Sequence, residues 1–227
     1  MNAYLRTVWL HLRKDLQLEW RSRDAIAGML FFTLLVVVVF AMAFDPTGFP
    51  TLARQMSGGL LWVGLLFAAT TALNISWERE RRNQVLDAHR MSSSAPSALF
   101  LGKALANLVF VTCVEAVLAP VFTVFYNLHP LGETKWLLLI LPLGTWAIVV
   151  NGTFFAALGL RSRNRELMLP AILFPISIPA LLGVVQATTG VITGDFEPQL
   201  WIRMLFGFDV IFTTACILLF GTVLNAE

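Results

Sequence analysis

Two carboxylates stand inside long apolar stretches: Glu115 within Leu105–Leu128 and Asp209 within Met204–Leu224. An acid near the centre of a membrane helix costs about 3 kcal/mol on insertion scales, so such residues mark proton handling or interhelical hydrogen bonding. Asn107, Asn151 and Gln186 are candidate hydrogen-bond partners for them. A third constellation is Pro170, Pro175 and Pro179. Prolines at that spacing must kink or interrupt a helix; proline-broken helices line transport sites, and they also serve as static kinks.

Covalent chemistry has no marked residues. The sequence contains no GxxxxGK[ST], HExxH or GxSxG pattern, so ATP binding through a Walker A loop, zinc hydrolysis and serine hydrolysis lack their usual marks. His11, His89 and His129 are too scattered to gather around a metal. Cys113 and Cys216 lie inside apolar stretches without CxxC or metal spacing and read as buried small apolar residues. The expectation is no catalytic residue, no metal site and no directly bound cofactor.

The two carboxylates and the three prolines fall on segments that read as membrane helices. The chain is 57% hydrophobic, with a mean hydropathy of +0.75. The apolar stretches are Ala25–Phe44, Met56–Ile75, Leu105–Leu128, Trp136–Leu160, Leu167–Ala187 and Met204–Leu224. Each has about 20 residues or more, enough to cross a ~30 Å hydrocarbon core as a helix. Runs such as Leu34–Phe40 show no alternation, which argues against barrel strands. The expected fold is an all-α membrane protein of six transmembrane helices, residues 1–227 forming one transmembrane domain. Ala41-Met42-Ala43 resembles a signal cleavage site, but the 24-residue polar lead and the long apolar stretch favour an uncleaved anchor.

Lys and Arg set the orientation. Arg6, Arg13, Lys14, Arg21 and Arg23 precede the first span. Arg79, Arg81, Arg82, Arg90 and Lys103 follow the second, and Arg161, Arg163 and Arg165 follow the fourth. Only Arg54, Lys135 and Arg203 fall on the other connections, so the positive-inside rule places both termini in the cytoplasm. The net charge of +2 gives no reason to expect nucleic acid.

Two further segments carry helical patterns. In residues 3–22, Leu5, Val8, Trp9, Leu12, Leu16 and Trp20 recur at three- and four-residue steps, which predicts an amphipathic helix along the inner membrane surface. The connection 76–103 opens with Glu78-Arg79-Glu80-Arg81-Arg82, continues with Val85, Leu86 and His89 at helical spacing, and breaks at Ser92–Pro96. It predicts a short helix parallel to the membrane, with a new helix starting at Pro96. A solvated charge run is the plainer meaning of such a segment.

Leu73–Trp77, Glu78–Arg82, Asn83–Asp87, Ser94–Pro96 and Leu101–Lys103 together resemble the B-type membrane component of the cytochrome c maturation (c-type cytochrome biogenesis) haem-exporter system. The similarity extends to the Gly58–Gly64 stretch and to Leu169-Pro170…Pro175…Pro179, and so covers nearly the whole chain. This chain has Asn83-Gln84 where members often have Asp-Gly. The resemblance implies an ABC-exporter permease in the bacterial inner membrane. Its partners would be an ABC ATPase subunit, a second copy of itself, a haem-handling membrane subunit, a small accessory membrane peptide and a periplasmic haem chaperone. ATP and magnesium would sit on the ATPase, and haem would be handled by the complex. Within that frame the connection 76–103 is a coupling loop, with Arg79, Arg81, Arg82, Asp87 and Arg90 as ATPase contacts and Val85 and Leu86 as the apolar anchor. Two other functions fit the residues: an ABC permease for a lipid, glycan or drug, and a proton-coupled carrier using Glu115 and Asp209.

Overall fold

The computed structural model describes residues 3–83, 91, 95–160 and 165–225. Among the described residues seven α-helices follow in order: α1 Ala3–Ser22, α2 Asp24–Phe44, α3 Pro50–Arg82, α4 Pro96–Phe125, α5 Leu137–Gly159, α6 Arg165–Thr193 and α7 Gln199–Asn225. A short 3₁₀ turn, Thr134–Trp136, leads into α5. There is no strand among the described residues. Six helices, α2 to α7, are long and apolar enough to cross a membrane, as the sequence predicts.

Burial separates the centre of the bundle from its rim. In α3 and α5, 61% of the most apolar window is buried, against 22% in α2 and 28% in α7. Small residues let the central helices approach closely. A β-carbon on Gly58 of α3 would lie 2.7 Å from Thr189 Oγ1 and 3.1 Å from the carbonyl of Val185 on α6. Gly144 of α5 faces Trp62 of α3 and Val184 of α6, and Gly152 faces Leu73 of α3. Polar side chains then join the helices within the apolar core. The Trp62 indole donates to Thr188 Oγ1 at 2.9 Å, and the Trp146 indole to Thr213 Oγ1 at 3.0 Å.

The structure corrects several expectations. The connection after the second span is shorter than 76–103. Ser76–Arg82 continue α3, and α4 begins at Pro96, which occupies the first helical turn as predicted. Glu78 explains the extension: it pairs with Arg81 and Arg82, at 2.7 and 2.9 Å, one turn further along the helix. Val85, Leu86, Asp87 and Arg90 lie outside the described residues.

Pro170, Pro175 and Pro179 do not interrupt α6, which is one helix over Arg165–Thr193. Each proline removes one backbone donor, and packing against α3, α5 and α7 holds the rest of the ladder. Cys113 is exposed on α4 rather than buried, whereas Cys216 is buried.

Helix α1 uses only part of its apolar stripe for packing: Val8 is buried, and Leu12 and Leu16 pack against the core. Leu5, Trp9 and Trp20 remain exposed, at 54%, 54% and 76%. The face that packs on the protein runs through Val8, Leu12, Asp15 and Glu19. Helix α1 lies chiefly against α4, with lighter contact to α2.

Candidate functional site

The elbow between α1 and α2 is a single residue, Arg23, in the left-handed region with φ 57°. It breaks the helix without a glycine, so neighbouring side chains must hold the geometry. Glu19, near the end of α1, does so. Its Oε1 accepts the backbone N–H groups of Ala25 and Ile26 at 2.8 and 3.0 Å, satisfying donors that the first turn of α2 would leave bare. Its Oε2 accepts from Arg79 Nη1 at 2.7 Å. Arg79 Nη2 donates to Ser22 Oγ at 2.9 Å and lies 3.6 Å from the Asp24 carboxylate. One guanidinium therefore ties the end of α1, the start of α2 and the end of α3.

A second tie crosses from α4. Lys103 is 1% exposed and sits between two acids: its Nζ lies 2.9 Å from Asp15 Oδ2 and 3.0 Å from Glu80 Oε1. It also donates to Ser76 Oγ at 3.1 Å and stands 5.1 Å above the Trp77 ring. Lys14 bonds the same Glu80 oxygen and lies 3.4 Å from Asp15. Around this junction Asp15, Glu19 and Glu80 face Lys14, Arg79 and Lys103, so the formal charges cancel. Such compensation is what lets carboxylates sit here 1–7% exposed.

Lys14 shows how the balance falls. Burial pulls its pKa down, but the charges of Asp15 and Glu80 and their hydrogen bonds outweigh it, and the pKa rises above 10.5. A raised folded-state pKa means that its contribution is complete below the unfolded value and is lost only as pH rises through the folded one. Lys14 therefore gives this junction no pH dependence between pH 6 and 9.

Close backbone approach completes the arrangement. A β-carbon on Gly102 of α4 would lie 2.6 Å from His11 Cβ and 2.8 Å from the Val8 carbonyl of α1. Glycine at 102 lets α1 sink far enough for Lys103, its chain neighbour, to reach Asp15. A cavity of about 20 Å³, lined by Asp15, Glu19, Ser76, Arg79, Glu80 and Lys103 among others, lies inside the junction, with room for about one water.

The sequence-predicted residues divide among separate places. Arg79 pairs with Glu19 and Ser22, and its side chain remains 26% exposed. Arg81 and Arg82 are exposed and hold Glu78. Glu115 accepts a hydrogen bond from Thr145 Oγ1 on α5. Asp209 is 6% exposed, and neither of its carboxylate oxygens has a hydrogen-bond partner among the described residues. Of the polar groups expected as their partners, Asn107 bonds Thr153 at 3.2 Å, and Asn151 bonds its own helix at Ala147. Glu115 and Asp209 nonetheless approach one level of the bundle, because Thr145 holds Glu115 and the adjacent Trp146 holds Thr213, one turn from Asp209.

Lys14, Asp15, Glu19, Glu80 and Lys103 do not stand out as a group in the sequence. One signal is present: Asp15 and Glu19 continue the helical stripe begun by Val8 and Leu12. Acids on an apolar stripe require buried cations, and the partners sit 60 to 88 residues away.

Comparison with known proteins gives one consistent result. The model of the CcmB protein family matches residues 6–224. Among similar proteins, heme exporter protein B of Rhodobacter capsulatus is 32% identical over 171 residues, covering 75% of this chain and 77% of that protein. Heme exporter protein B of Bradyrhizobium diazoefficiens is 30% identical over 187 residues, 82% of each chain. The Pseudomonas aeruginosa protein of the same name is 28% identical over 182 residues, covering 79% of this chain and 80% of that one. A match that runs from within α1 almost to the end of α7, on a fold of six membrane-spanning helices, places this chain in the CcmB family.

Proposed function

We propose that this chain is the membrane subunit of an ABC-type complex for c-type cytochrome biogenesis. It would couple ATP hydrolysis by a partner ATPase to haem delivery, or to release of the haem-loaded periplasmic chaperone. The observation that supports this reading is the near full-length match to proteins named heme exporter protein B. The chain would lie in the bacterial inner membrane with both termini in the cytoplasm. The ATPase, a second copy of the chain, a haem-handling membrane subunit, a small accessory membrane peptide and the chaperone would be its partners. ATP and magnesium belong to the ATPase, and haem is cargo.

The junction supplies a route for the coupling. The ATPase would press on the connection between α3 and α4, through Arg81, Arg82, Val85, Leu86, Asp87 and Arg90. Glu80 and Lys103 lie at the two ends that flank this connection, and both bind α1. Displacement there is carried to α1 and, through Glu19 and Arg79, to the start of α2. Arg79 acts inside this route and not as a contact on the ATPase.

A second reading, a proton-coupled carrier without an ATPase, draws support from Asp209, whose oxygens lack hydrogen-bond partners among the described residues. One experiment separates the two. The tagged chain is purified from its native membrane in mild detergent, the co-purifying proteins are identified, and ATPase activity is assayed. Recovery of an ABC ATPase with cytochrome-maturation subunits supports the first reading, whereas an ATPase without them points to another cargo. Absence of any ATPase, with transport that survives ATP depletion in a proton gradient, supports the carrier.

A further inference from the structure

We propose that a zwitterionic aminophospholipid seats its headgroup in the pocket between the start of α2 and the ends of α3 and α5. The pocket is lined by Asp24, Asn74, Ile75, Glu78, Arg79, Arg82, Ala156 and Leu160, with a volume of about 320 Å³. Its position selects the ligand. Asp24 begins α2, Leu160 follows the end of α5, and Asn74 and Ile75 stand where the apolar stretch of α3 gives way to the charged Glu78–Arg82 run. This apolar-to-charged boundary is where a span reaches the headgroup level of a leaflet, so the molecules at hand there are phospholipids. On the same side, the exposed Trp20 ring has the Arg23 guanidinium 5.9 Å from its centroid, an amphipathic pair suited to that boundary.

The chemistry of the lining matches a headgroup that carries both charges. Arg82 holds Glu78 through Nε at 2.9 Å, which leaves the outward fork of a largely exposed guanidinium for a phosphate. Asp24 is 69% exposed and stands only at 3.6 Å from Arg79, so its carboxylate is available to an ammonium group. The Asn74 side-chain carbonyl offers a second acceptor on the same wall. Ile75, Ala156 and Leu160 form the apolar side against which the glycerol and the first methylenes rest.

A primary ammonium donates three hydrogen bonds, whereas a quaternary choline donates none, and this difference makes the test specific. The purified full-length chain is delipidated in mild detergent and offered phosphatidylethanolamine, phosphatidylcholine and phosphatidylglycerol in equal amounts. Bound lipid is then counted by native mass spectrometry. We expect one phosphatidylethanolamine per chain, preferred over phosphatidylcholine by about tenfold, the order expected from charge-assisted hydrogen bonds. Arg82→Gln with Asp24→Asn should abolish the preference while the protein keeps its helical content and elution volume. Equal retention of the three lipids by the unaltered chain overturns the proposal without any variant, as does a preference that survives the double substitution. Preferential retention of phosphatidylglycerol would show a simple basic patch and also overturn it. The readout is lipid occupancy of the isolated chain, so failure of the haem-exporter reading leaves this test standing.

Discussion

Lys103 is the residue on which the junction depends most. With 1% exposure and contacts to Asp15, Glu80 and Ser76, it cannot be removed without leaving buried acids uncompensated. Lys103→Met should lower the stability of the purified chain by about 3–5 kcal/mol, read as a large fall in the thermal midpoint. Lys14→Met, at a side chain 35% exposed, should cost much less, because solvent screens the charge that is lost. Equal losses for the two would mean that burial does not govern the network. Asp209 is the opposite case. Both its oxygens are buried without partners among the described residues, so replacing it by an apolar residue of similar size removes an unsatisfied group. Asp209→Val should leave the thermal midpoint unchanged or raise it. Loss of transport at unchanged or higher stability would then assign Asp209 a functional role.

Among the elements, α1 is the one whose attachment is most specific. Two of its three buried residues are acids, held by α3 and α4. The approach at Gly102 leaves no space for a methyl group, since the neighbouring atoms are His11 Cβ and a backbone carbonyl. Gly102→Ala should therefore lift α1 and speed hydrogen exchange across residues 3–22, with little change in α5 to α7. Gly207→Ala is the control: nothing lies within 4 Å of its β-carbon position, and alanine is the better helix former by about 1 kcal/mol. Exchange rates in α1 that do not distinguish these variants would remove Gly102 from the docking argument.

For the whole molecule, orientation is the testable consequence of charge. Thr47 lies in the α2–α3 connection, and Asn83 lies just past α3 at the opposite end of the bundle. After replacement of Cys113 and Cys216 by serine, Thr47→Cys should react with an impermeant maleimide in intact spheroplasts. Asn83→Cys should react only once the membrane is opened, and the reverse result would invert the topology. The bundle also shows how a thin protein spans a bilayer. Helices α3 and α5 take the centre through Gly58, Gly144 and Gly152, while α2 leaves most of its apolar surface outside the bundle.

Length and polarity in the sequence determined the six spans, because a chain that is apolar over 20 residues has one low-energy way to satisfy its backbone in lipid. They also set Pro96 at the start of α4 and the i, i+4 pairing of Glu78 with Arg82. These are local properties, legible from neighbours along the chain. Local pattern does not place Arg79, whose partner Glu19 is 60 residues away, nor does it join Lys103 to Asp15 across 88 residues. Glu115 and Asp209 stand out in the sequence as acids in lipid, yet only packing decided that Thr145 satisfies one and no described residue satisfies the other. Local rules predict a kink or an interruption at the three prolines of α6 because they count only the lost hydrogen bonds. The tertiary structure kept the helix whole, since packing on neighbouring helices in a medium without water outweighs those losses.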